Sequence, residues 1–268
     1  GVLHRLPSFG ADDLATLPVP AESIEQFRAA SDEIVRLAAA VPTDAPWNTP
    51  WARHWDSMTL EHWMHQQMSD PLARALFTAV GPNELAVAPV DISVLSMMHQ
   101  VAMAPPSEVS ERWRILGGAQ QMCIRLAERL GDRVHLADPV ISLDWSDDGV
   151  VVYTDLDGEF HAARVIVAMP PNLAGRLDYY PVLPVARESL TSRFPVGHVI
   201  KIQAVYERPF WREQGLNGYA LIPFPESVSV IADNSTPENG HGVLAGFVYA
   251  DEAAWLADQP QEERRAQV

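Results

Sequence analysis

The chain has 268 residues, enough for one large domain or two modest ones. Apolar residues make up 47% and the net charge is −16 with no basic cluster, which argues against nucleic acid or an anionic membrane as partner. No apolar run approaches the roughly 18 residues of a spanning helix, and the single cysteine, Cys123, excludes an internal disulfide and fits a reducing cytoplasm.

In chain order, residues 1–20 read as coil, and the start at Gly1 without methionine reads as a trimmed beginning. Ile24, Phe27, Ile34, Val35, Leu37 and Ala38 recur near helical spacing and predict a helix over residues 21–40. Residues 41–50 form a proline-broken loop. Trp47, Trp51, Trp55 and Trp63 follow closely, and such a cluster reads as packing. Thr59 is placed to cap a helix. His62 and His65 lie three apart on it, a spacing that can bind metal, but no further ligand cluster joins them and no metal site is assigned. Ser69-Asp-Pro opens a further helix to about Val80. Residues 90–103 form another, rich in Leu95, Met97, Met98 and Val101.

Beyond Pro105-Pro106 the character changes. A helix over 119–130 ends at Gly131, and strands are predicted over 134–136, 140–145, 150–154 and 159–167. Asp147-Asp148-Gly149 and Asp157-Gly158 supply the turns of a three-stranded meander. Val165 to Ala168 reads as a buried strand running into Pro170-Pro171, where small residues let backbone approach a ligand. A short helix over 184–192 precedes an apolar strand over 199–206 that carries Lys201. Alternation puts Val199, Lys201 and Gln203 on one face and Ile200, Ile202 and Ala204 on the other. Two readings of the lysine stand: an edge or snorkelling residue whose head reaches water, or a side chain pointed into a site. Antiparallel strands over 219–223, 228–232 and 243–249 follow, and a helix opens at Ala253.

The wording around the lysine bears on that choice. Pro195-Val-Gly-His-Val-Ile-Lys201, followed by Pro209-Phe-Trp-Arg212, resembles the flavin-dependent monoamine oxidase family. Other words in the same order are also similar: Pro42-Thr-Asp-Ala-Pro-Trp47, Trp55-Asp56, Met58-Thr59, Gly117-Gly118, Leu130-Gly-Asp-Arg-Val134, Pro139-Val140-Ile141 and Ala168-Met-Pro-Pro171. The resemblance implies an α+β chain with FAD as cofactor. Residues 1–116 and 191–268 would form a discontinuous substrate-binding domain, helices plus mixed sheet. Residues 117–190 would be a segment of the FAD-binding domain. The family's N-terminal G-x-G-x-x-G turn and C-terminal flavin segment are not found, so the sequence reads as the central part of an amine oxidase.

By the same resemblance, Lys201 is the catalytic residue, reaching flavin N5 through a water from the floor of an apolar chamber. Val140 offers backbone to the adenine end, and Ala168, Met169 and Pro170 offer backbone near the flavin. Leu95, Met98, Glu111, Leu221 and Val230 fall at substrate-cavity positions. Glu111 stands in the place of a cavity glutamine, where it would bind a cationic amine; a solvated glutamate beside Arg112 and Arg114 is the competing reading. The implied reaction converts a primary amine and oxygen to aldehyde, ammonia and hydrogen peroxide in the cytoplasm. A polyamine, diamine or amino-acid oxidase is the alternative, and an inert packing or homodimerising module without flavin is the alternative of another class.

Overall fold

The computed structural model describes residues 4–6, 13, 16–81, 85–104, 113–222, 227–236 and 240–268. The chain divides into two units, Gly1–Ala104 with Gly197–Val268, and Pro105–Val196. Among the described residues no helix is long and apolar enough to cross a membrane.

Among the described residues, the N-terminal part of the first unit carries the helices α1 Ala21–Ala38, α2 Ala52–Ser57, α3 Leu60–Gln67, α4 Pro71–Val80 and α5 Val94–Met103. Ile24, Phe27, Ala30, Ile34 and Ala38 form one buried stripe along α1, and α4 and α5 pack against that helix. Side-chain caps set three of the starts. The Thr59 hydroxyl accepts from His62 N at 3.2 Å, the Asp70 carboxylate from Ala73 N at 2.8 Å, and the Ser93 hydroxyl from Ser96 N at 3.1 Å. Ser93 therefore starts α5 later than the apolar run from Val90 suggests. Leu60, Trp63, Met68, Leu76, Val94 and Met98 fill the helical core, and the Trp63 and Phe77 rings meet at 5.7 Å. Of the four clustered tryptophans, Trp63 is central and Trp55 packs at the core edge, whereas Trp47 and Trp51 are exposed.

The second unit holds α6 Gln120–Leu130, β1 Val140–Ser146, β2 Gly149–Thr154, β3 Glu159–Ala162, α7 Pro171–Ala174, β4 Asp178–Tyr180 and α8 Val185–Ser192. Its sheet runs β3-β2-β1-β4, with β4 parallel to β1. The expected meander gains this fourth strand, whose three residues are too few to show alternation. The Tyr179 hydroxyl donates to Ala174 O and Trp145 Nε1 to Pro181 O, tying β4 and its exit to the rest. Residues 134–136 are not a strand, and the returning strand stops at Ala162. Residues 165–168 pair with no strand among the described residues, and Ile166 is 90% exposed. Apolar β-formers favour an extended chain, but a ladder also needs a neighbour.

The first unit resumes with β5 Val199–Tyr206, α9 Phe210–Glu213, β6 Ala220–Leu221, β7 Val230–Asp233, β8 Gly242–Tyr249, α10 Ala250–Ala257 and α11 Gln261–Gln267. The sheet order is β5-β8-β7-β6, antiparallel throughout. Ala253 and Leu256 of α10 pack with Val248, Ile200, Ile202 and Val228, so α10 covers one face. The helix expected from Ala253 starts earlier and is split before Pro260.

Candidate functional site

The start of β5 is fixed by a close backbone approach. A Cβ on Gly197 would stand 2.6 Å from Ala86 O. His198 N donates to that same oxygen at 2.9 Å, and Ala250 N donates to His198 O at 2.9 Å. The glycine in the lysine-bearing word is therefore there to let two chains touch.

Register then assembles the site. Lys201 lies opposite Phe247, Phe247 opposite Val230, and Val230 opposite Leu221. Directly paired residues share a face, so one row crosses all four strands. It brings together three expected site residues, Lys201, Val230 and Leu221, and adds Phe247. Lys201 Nζ stands 5.2 Å from the Phe247 ring centroid. That ring stacks on Tyr249 at 5.9 Å with planes 2° apart.

This row lies on the face opposite α10. Lys201 is exposed, with Val199 and Val205 exposed on the same strand, while Phe247, Val230 and Leu221 are half-buried. The chamber expected around the lysine is thus not closed by the described residues. The apolar face stands open, with the ammonium resting on a ring.

Among the described residues of this sheet's strands, the one carboxylate is Asp233. It sits opposite Leu244, in a row on the other face. Trp211 Nε1 and Arg212 Nε donate to its Oδ2 at 2.9 and 2.8 Å, and Ser235 N donates to Oδ1 at 2.8 Å. Burial pushes the Asp233 carboxyl up, but hydrogen bonds from Ser235, Trp211 and Arg212 outweigh it and hold the pKa at about 2. The tryptophan and arginine of the Pro209-Phe-Trp-Arg212 word thus tie α9 to the end of β7.

The other expected residues are placed as follows. Leu95 and Met98 lie buried on α5, Met98 within the helical core at 1% exposure. Glu111 lies outside the described residues. Val140 opens β1 opposite Thr154 and is exposed. Ala168, Met169 and Pro170 are exposed before α7, with Pro170 O accepting from Leu173 N and Ala174 N, both at 2.9 Å. These four belong to the second unit, whereas Lys201, Leu95, Met98, Leu221 and Val230 belong to the first. A cavity of about 550 Å³ in the second unit is lined by Leu143, Trp145, Val150, Arg164, Val165 and Arg187, among others, and by none of the expected site residues. His62 Nε2 lies 3.0 Å from Gln66 Nε2. Among the described residues no three His, Cys, Asp or Glu side chains converge as metal ligands. Phe247 was missed because its place beside Lys201 comes from pairing between distant strands; its position in the apolar 243–249 run was the available signal.

The α+β architecture agrees with comparison against known proteins. Residues 15–268 match the family of flavin containing amine oxidoreductases, and the chain belongs to that family. FAD is the cofactor this membership implies. The chain is 34% identical over 237 residues to an L-amino acid dehydrogenase from Synechocystis sp., covering 85% of this chain and 49% of that protein. It is 31% identical over 236 residues to flavin-containing amine oxidase B from Homo sapiens, covering 85% and 45%. Among solved structures, putrescine oxidase bound to putrescine matches with a TM-score of 0.84 and 34% identity, over 94% of this chain and 57% of the other. Cyclohexylamine oxidase from Brevibacterium oxydans matches with a TM-score of 0.83 and 27% identity, over 94% and 56%. The chain spans about half the length of the curated relatives it matches.

Proposed function

We propose that the whole protein is an FAD-dependent oxidase of a primary monoamine with an apolar tail. One amine, one oxygen and one water give one aldehyde, one ammonia and one hydrogen peroxide. FAD, when bound, supplies the two-electron acceptor that oxygen restores. The residues present suit such a group. An ammonium resting on a ring, on an open apolar face, offers N–H donors beside room for a flat partner. In the first unit Lys201 would hold it.

The observation that carries the reading is the row from Lys201 to Leu221. At one end Lys201 supplies positive charge where negative charge develops as oxygen is reduced, and its N–H groups can hold a water there. At the other end Val230 and Leu221 offer an apolar wall to a substrate tail. The amine must be neutral, since a protonated nitrogen has no electron pair to push toward the adjacent carbon. A diamine would need an anion for its far ammonium, and the carboxylate on these strands, Asp233, sits on the other face, engaged. Glu111, as a cavity carboxylate, would reverse that preference. The single, exposed Cys123 accords with a cytosolic setting.

The test separates the two half-reactions in the whole protein. Lys201→Met should slow reoxidation by oxygen about a hundredfold while reduction by amine changes less. Unchanged oxygen kinetics would remove Lys201 from the mechanism. An arylalkyl monoamine should be turned over faster than a diamine of equal length, and the reverse order would sink the monoamine assignment.

A further inference from the structure

We propose that Phe247, backed by Tyr249, is the positioning residue that fixes the Lys201 ammonium over the open face of the sheet. The inference rests on the oxidase reading above and adds a residue to it. Lys201 is the only lysine of the sequence; of 19 lysine and arginine residues the other 18 are arginine (19 − 1). Arginine carries a planar, preorganised fork, whereas lysine carries a compact charge on a flexible four-carbon stem. An exposed lysine on a strand needs a device that keeps its head in place.

A carboxylate would be one such device, but it would also neutralise the charge and occupy the N–H groups. A ring does neither. Its electron-rich face attracts a cation within about 6 Å, and Lys201 Nζ stands 5.2 Å from the centroid. The ammonium keeps its charge and its donors for whatever lies above the sheet. The platform is stiff for identifiable reasons. Phe247 is on β8, which is paired on both sides, with β5 and with β7. Its ring is half-buried and lies parallel to Tyr249, 2° apart. Tyr249 is itself opposite Val199, two residues before the lysine, so both rings stand beside the strand that bears the ammonium.

Because Lys201 is the only lysine, reductive methylation with carbon-13 formaldehyde gives the 268-residue chain one side-chain signal besides the terminal amine. Methylation keeps the charge, and loss of the signal in Lys201→Arg assigns it. The methyl resonance should be displaced by ring current and show a nuclear Overhauser contact to the Phe247 ring. Phe247→Leu should return it to the position of a free lysine, and Phe247→Tyr should keep it displaced. In the flavin-loaded whole protein, Phe247→Leu should slow the oxygen half-reaction roughly three- to tenfold, with Phe247→Tyr restoring it. A wild-type signal at the free-lysine position without a ring contact overturns the proposal, as does a displaced signal that Phe247→Leu leaves in place. If Phe247→Leu fails to fold, the wild-type ring contact alone decides. A free lysine signal in an active oxidase sinks the positioning role and leaves the oxidase reading standing. A ring-shifted signal in a protein that oxidises no amine sinks the oxidase reading and leaves the Lys201–Phe247 placement standing.

Discussion

The helices of the first unit and the whole of the second unit spend their apolar residues in opposite ways. In the helices, Leu60, Trp63, Val94 and Met98 are removed from water almost entirely. In the second unit only Leu143 and Ala174 are buried apolar residues among those described. Helix α6 shows the contrast in one element. Met122, Leu126 and Leu130, four apart, are 54%, 58% and 50% exposed, and nothing on α6 is buried. Periodicity says which side of a helix is meant for burial; it does not say what does the burying. Tertiary packing supplies most of a helix's stability, so α1, α3, α4 and α5, which carry the large buried cluster, should be held far more firmly than α6.

The sharpest way to break that contrast is to hollow out one region and clip the other. Trp63→Ala should cost about 3–5 kcal/mol, because a large ring packed on Phe77 leaves a cavity that neighbours only partly fill. Ile166→Ala should change stability by less than about 0.5 kcal/mol, since that side chain gives up little contact. Urea unfolding of the two variants measures both. Similar losses would show that the second unit is as well packed as the helices.

The tie between α9 and β7 should be the next largest contributor, and it belongs to the first unit alone. The Asp233 carboxyl is lowered from 3.8 to about 2 in the folded protein. A lowered carboxyl stabilises the fold above its unfolded value and loses that contribution as pH falls through the folded value. Its share is about 2 kcal/mol, complete at neutral pH and fading between roughly pH 4 and pH 2. Asp233→Asn should lie below the wild type by about that amount at pH 7, and the two should converge near pH 2. Parallel stability curves across that range would show that the carboxylate charge is not what holds Trp211 and Arg212.

Much of this was legible in the sequence where chemistry is local. Thr59 and Asp70 announce helix starts because a side-chain oxygen meets an amide three residues on. Asp157-Gly158 announces a hairpin, with Asp157 at a positive φ of 60°, but the connection is longer than the expected two residues and runs from 155 to 158. What escaped is non-local. The β4 strand is recognisable only by its partner, and the 165–168 run, which pairs with no strand among the described residues, looks like a strand by composition alone. The site divides the same way. Lys201 stood out as a charge in an apolar strand, and its motif glycine was visible without its reason, which is the Ala86 backbone 111 residues earlier (197 − 86). Phe247 is joined to Lys201 only by the pairing of β5 with β8, two strands that lie far apart in the sequence.

The smallest expected effect is the most direct probe of α6. Leu126→Gln exchanges two residues of nearly equal helix propensity at a position 58% open to water. No contact of consequence is lost, so thermal unfolding should move by less than about 0.5 kcal/mol equivalent, with helical circular dichroism unchanged. Self-association at high concentration should fall, because an exposed apolar stripe loses its central member. A loss of about 2 kcal/mol or more would instead match a buried leucine. That result would mean the stripe finds cover in solution, and the two regions would no longer differ in kind.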